Sequence, residues 1–294
     1  MGKPDKQADK AKPSTELATQ QGGAVATVDD NMFAADAGHG MEGATHESFA
    51  IPFLSVLQSN SPQVDESDGK FIEGAKAGML YENITGKLVD GKVGVHIIPA
   101  HYRRVYLRWG PRSGEGSGFK GEMAVEEVAA LRQRKEIVEF EGRLYFPLPD
   151  GSVNEKRCDR VVDTRNHYVL LVDPETGEYQ QALFSLRSTQ VKKSKALMSA
   201  LASVRLQGPS GPYQPATFAS MVKVTTVPEK NDDGSWYGVK CEIVGRTPNK
   251  AWYLAAKAFH ESVMKGEVQA KYEDDVAPEP GAARQPTSQD ANRF

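Results

Sequence analysis

The chain has 294 residues, a net charge of −3, 26% charged residues and two cysteines, Cys158 and Cys241. That length can bury a core of one large or two small domains. So few cysteines exclude a disulfide-dense secreted scaffold, and no run of 18 apolar residues is present to cross a membrane. The overall charge hides an uneven distribution. Residues 1–50 hold four Lys against eight acids, and residues 273–294 two Arg against five acids, which leaves residues 51–272 at +4. A basic body with acidic ends suits a protein that handles a polyanion.

In chain order, residues 1–48 are poor in large apolar side chains and read as a disordered N-terminal tail, with no apolar core of a signal peptide after Met1. Order is expected from Phe49. Residues 51–58 are a short apolar run, residues 76–88 a strand and turn, and residues 93–109 a long strand. A loop rich in Gly and Ser covers 113–118, without the strand, helix and terminal Lys-Ser or Lys-Thr of a phosphate loop. Residues 125–134 read as a short helix and 136–146 as a hairpin. Residues 168–185 form two strands around Pro174-Glu175-Thr176-Gly177, and 192–205 a helix. Residues 222–244 form a hairpin through Asn231-Asp232-Asp233-Gly234, and 251–265 a last helix. Cys158 and Cys241 fall in expected strands and read as buried free thiols, with a disulfide between them as the alternative. Residues 273–294 read as a second disordered, acidic tail ending in Phe294. Strands joined by hairpins, not alternating with helices, give a mainly β (α+β) fold. The expected architecture is a curled antiparallel sheet or an oligonucleotide-binding-like barrel, with inserted and C-terminal helices, spanning 49–272.

Two basic clusters stand out. His101 to Arg112 carries Arg103, Arg104, Arg108 and Arg112 with Tyr102, Tyr106 and Trp109, and no acid. Guanidinium groups neutralise phosphate and stack on rings, and aromatic faces accept unpaired bases. Ordinary strand alternation would instead bury some of those rings. From Ala182 to Arg205 five basic residues occur without an acid, among them Arg187, Lys192, Lys193 and Lys195 at the start of a helix that Ser188 or Thr189 could cap. Lysines at a helix N-terminus oppose its dipole, whereas a bound phosphate favours them. Trp236 and Tyr237 read as packing residues.

Catalytic and metal signatures are missing from the sequence. The six histidines form no HExxH or His-x-His pair, and there is no CxxC, Walker loop or Gly-x-Ser-x-Gly elbow. Asp159, Asp163, Asp173 and Glu175 sit near expected strand ends without the spacing of a nuclease site. The expectation is a protein that is not an enzyme and carries no cofactor.

Three segments, Phe53–Val64, Gly94–Trp109 and Ser185–Lys195, resemble a family of proteins encoded by tailed bacteriophages, with the similarity running from Ile51 to Ile243. The resemblance implies a single-stranded DNA-binding protein with an oligonucleotide-binding barrel, active in replication or recombination in the host cytoplasm. It implies a C-terminal acidic tail that recruits partner proteins. The tip Asp290-Ala291-Asn292-Arg293-Phe294 departs from that pattern by its arginine. The alternatives are a strand-annealing recombination protein, a structural or protein-interaction protein of the phage, and a metal-dependent nuclease. Homo-oligomerisation is left open.

Overall fold

The computed structural model describes residues 30–44, 49–111, 116–232, 234–268 and 270–272. The expected tails at 1–29, 45–48 and 273–294, and Arg112, lie outside them. The chain divides into two units, Met1–Ala44 and Thr45–Phe294. In the first, a short helix, α1 (Asp30–Ala35), is followed by turns, with residues 31–44 exposed. This short exposed helix lies within the segment expected to be a tail.

The second unit is mainly β with antiparallel ladders and a few helices. Its first strands, β1 (Leu54–Val56), β2 (Leu80–Glu82) and β3 (Leu88–Val89), form a small sheet. The large sheet is built on β4 (Val95–Trp109) and β8 (Arg160–Val172), paired from His96↔Val172 to Trp109↔Arg160. Beside β4 lie β5 (Phe119–Met123) at one end and β12 (Ser220–Asn231) at the other, and β12 pairs with β13 (Gly234–Arg246). Beside β8 lie β9 (Tyr179–Arg187) and, at the opposite end, β7 (Arg143–Tyr145), which pairs with β6 (Val138–Phe140). The described ladders run as an open path from β13 to β6. A minor hairpin, β10 (Leu206–Gly208) and β11 (Gly211–Tyr213), completes the strands.

Helix placement follows from which strand residues are apolar. A register shift between Pro99 and His101 leaves Ala100 as the extra residue of a bulge, where a proline without an N–H is tolerated. The bulge re-phases β4: Ile98 and Ala100, then Val105, Leu107 and Trp109, share one core with Trp252, Ala256 and Phe259 of α4 (Lys250–Met264). On the opposite face two separate cores form. Ile97, Val169 and Leu186 pack with Leu197 and Leu201 of α3 (Val191–Ser203). Tyr106 and Val161 pack with Val128 and Leu131 of α2 (Val125–Gln133). Between α2 and α3 the same face is polar, and the charged residues of β4 and β8 meet there.

Among the described residues no helix is long and apolar enough to cross a membrane. Cys158, expected in a strand, lies instead in the turn before β8, where its sulfur accepts from the Asn154 N–H, while Cys241 is in β13. Both are free thiols.

Candidate nucleic-acid interface

After the bulge, Tyr102, Arg104, Tyr106 and Arg108 share one face of β4. The cross-strand register sets them against His167, Arg165, Asp163 and Val161 of β8. Asp163 accepts two bonds from Arg104, Nε to Oδ1 at 3.1 Å and an η nitrogen to Oδ2 at 2.8 Å, and a third from Arg165 at 2.9 Å. Arg104 also donates to the Tyr106 hydroxyl at 2.8 Å, and Arg165 to the Tyr102 hydroxyl at 2.9 Å. Further along, Asp159 accepts from Arg108 Nε at 2.7 Å and Lys120 Nζ at 2.7 Å. Four cations therefore share two carboxylates. The Arg108 guanidinium lies 3.9 Å from the ring centroid of Phe146, which is half-buried. Arg165 is buried, and its Nε has no hydrogen-bond partner.

Electrostatics keep this ladder charged where it should be. Burial works against the Arg104 cation, but the hydrogen bond and charge of Asp163 outweigh it and raise its pKa. Burial, reinforced by Asp163, raises the Tyr106 pKa, so its hydroxyl stays protonated at neutral pH. Burial, with the charge of Arg165, pulls His167 down to about 4. The neutral His167 Nε2 lies 2.8 Å from the Ser194 hydroxyl in the second turn of α3. That contact brings the start of α3 against the polar ladder.

The first basic cluster divides between the faces. Tyr102, Arg104, Tyr106 and Arg108 come together. Trp109 lies on the opposite face, 1% exposed and packed edge-on against Phe119, and Tyr106 is only 8% exposed. Both are corrected as base platforms, because the alternation of β4 turns one ring into each core and leaves neither face open. Tyr102 is partly exposed, 5.2 Å from the His167 ring. Arg103 points away from Arg104 and pairs with Glu122 on β5 at 2.7 Å. Arg112 is outside the described residues.

The second cluster lies at the start of α3. Lys192 and Lys195 are exposed, whereas Lys193 pairs with Glu229 on β12. Neither Ser188 nor Thr189 caps the helix. A 3-10 turn (Ser188–Gln190) leads into α3, and the cap residue Gln190 spends its side chain on the Val239 N–H. Arg187, at the end of β9, is partly buried. Asp159, Asp163, Arg165 and Lys120 were not expected at the site. Their signal was present: Asp159, Val161, Asp163 and Arg165 repeat every second residue, as do Arg104, Tyr106 and Arg108. Among the described residues no group of three or more His, Cys, Asp or Glu could hold a metal ion.

A model of the Pam3 phage gp34-like protein family matches residues 19–269, most of the chain. No curated protein and no solved structure gives a significant match.

Proposed function

We propose, from the premise that this chain belongs to the Pam3 phage gp34-like protein family, that it binds single-stranded DNA without catalysis during phage replication or recombination. The observation that carries the reading is the surplus of cations over carboxylates where one face of β4 and β8 meets Lys120 of β5. It continues into the exposed Lys192 and Lys195 at the start of α3. Side chains of Arg104 and Arg108 remain 35% and 39% exposed, so each can turn an η nitrogen to a phosphate while keeping its aspartate. Tyr102 and Phe146 are the rings on this face with surface left to stack a base. Action in the host cytoplasm, and recruitment of replication or recombination proteins through the acidic residues after 272, belong to the same reading.

The test is fluorescence anisotropy of labelled oligo-dT against a duplex of equal length over a salt series. Tight binding to the single strand that weakens with salt is expected. The K192A/K195A variant should lose affinity, with the salt slope shallower by roughly 1.4 in log–log units, about 0.7 for each phosphate contact removed. Removing cations from the start of α3 should leave its stability equal or slightly higher. No binding to either probe at low salt sinks the proposal.

A second reading, a structural or protein-interaction component of the phage, is favoured by one observation. Arg103, Arg104 and Arg108 each already hold a carboxylate. That reading expects no DNA affinity at moderate salt.

A further inference from the structure

We propose that two copies of this chain associate through the free edge of β13, antiparallel and centred on Cys241. The inference stands apart from what the protein binds. β13 ends the path of the large sheet. Which of its backbone groups face outward follows from its neighbour. The Thr226 N–H on β12 donates to the Gly91 carbonyl, away from β13. The even-numbered residues of β12 therefore point away from β13 and the odd ones toward it. Lys223↔Glu242 and Thr225↔Lys240 are then the hydrogen-bonded pairs. Odd residues of β13 consequently present their N–H and C=O to the outside.

Two side chains already sit on that edge and confirm its direction. Gln58 accepts from the Tyr237 N–H at 2.8 Å and donates to the Tyr237 carbonyl at 2.9 Å, as a paired strand would. Gln190 accepts from the Val239 N–H at 3.0 Å. Beyond Val239 this capping stops. Cys241 and Ile243 turn their backbone groups outward with no partner among the described residues.

An open edge is a template for another strand, and charge selects both the occupant and the register. Lys240 and Glu242 are both exposed and lie 2.8 Å apart on one face of β13. Antiparallel self-pairing centred on Cys241 sets each Lys240 opposite Glu242 of the second copy, closing an alternating square of charges. Centring on Glu242 would oppose two carboxylates, and centring on Ile243 would oppose Lys240 and Arg246. Opposite charges across a ladder stabilise it and like charges do the reverse. In the favoured register the two Cys241 residues exchange both backbone bonds. Each Ile243 N–H donates to the Val239 carbonyl of the other copy, and Gln190 terminates the ladder at each end. A two-fold contact of this kind is self-complementary.

The test is the mass of the full chain, without nucleic acid, by light scattering over roughly a hundredfold dilution. A mass twice that of the chain, falling toward one chain on dilution, is expected. Glu242→Lys should lower the mass to a single chain, and the swap K240E/E242K should restore the dimer. Circular dichroism checks that each variant is folded. A single-chain mass at every concentration overturns the proposal. So does a mass that Glu242→Lys leaves unchanged, or a folded swap variant that stays monomeric. None of these outcomes alters the oligo-dT result expected of K192A/K195A.

Discussion

His167 shows how burial sets the chemistry of a single residue. It stands on the central strand, 1% exposed, and its pKa is pulled from 6.5 down to about 4 by burial and the nearby Arg165. The unfolded chain thus binds a proton that the folded chain refuses between those two values. This contribution to stability is complete above pH 6.5 and is lost as the pH falls toward 4, by something on the order of 3 kcal/mol. Urea melts at pH 7, 6, 5 and 4.5 should show that decline, and His167→Gln should flatten most of it. His96 and His101, lowered first by burial, add to the slope in the same direction. Asp163 makes the opposite argument. It is buried between two guanidinium groups, so its removal strands Arg104 and Arg165 beside one another. Asp163→Ala should cost about 3–5 kcal/mol, read as a shift of the denaturation midpoint, with Asp163→Asn costing less because it can still accept hydrogen bonds.

At the scale of elements, the joint between β12 and β4 depends on a missing side chain. Gly91 accepts from Thr226 N–H at 2.8 Å, and a Cβ there would lie 2.0 Å from the Gly78 carbonyl oxygen and 1.9 Å from Thr226 Oγ1. Both obstacles are held in place, since the Thr226 hydroxyl donates to that same carbonyl. Gly91→Ala should therefore destabilise by roughly 1–3 kcal/mol, measurable as a lower Tm with early hydrogen exchange along β12. Elements with a clear period were legible in the sequence. The hairpins at 136–146 and 222–244 and the three long helices stand within a few residues of their expected bounds, whereas the hairpin expected from 168 begins eight residues earlier, at Arg160. In the first half of β8 the alternation was visible but the burial was not: Asp163, Thr164, Arg165 and Asn166 are polar residues buried in a central strand through ion pairs and hydrogen bonds that periodicity does not reveal. The faces of β4 were not legible either. One extra residue, Ala100, decides whether Trp109 or Arg108 meets solvent; Pro99 marks an irregularity there, but does not say on which side of it the extra residue falls.

For the molecule as a whole, the segment after the last helix is held by packing that composition does not reveal. The chain leaves α4 at Met264 and runs back across the main core, burying Val268 and Tyr272. The Tyr272 ring packs against Phe53 and Phe119, and its hydroxyl accepts from the Asn166 amide beneath. Asn166 also accepts from Ser185, so Tyr272 ties the segment after α4 to both β8 and β9. Tyr272 therefore belongs to the core, and five acids follow it in the sequence. Two truncations separate these roles. Ending the chain after Lys265 removes two buried side chains and leaves the Asn166 amide without its partner; a loss of about 3–5 kcal/mol is expected. Ending it after Tyr272 should leave the Tm unchanged and, by removing acids that compete with phosphate for the basic face, raise oligo-dT affinity at low salt. Salt should abolish that gain, since competition between exposed charges is screened within about 10 Å at 0.1 M. An affinity identical to that of the full chain at low salt would show that residues 273–294 do not compete for the face that carries Arg104, Arg108 and Lys192.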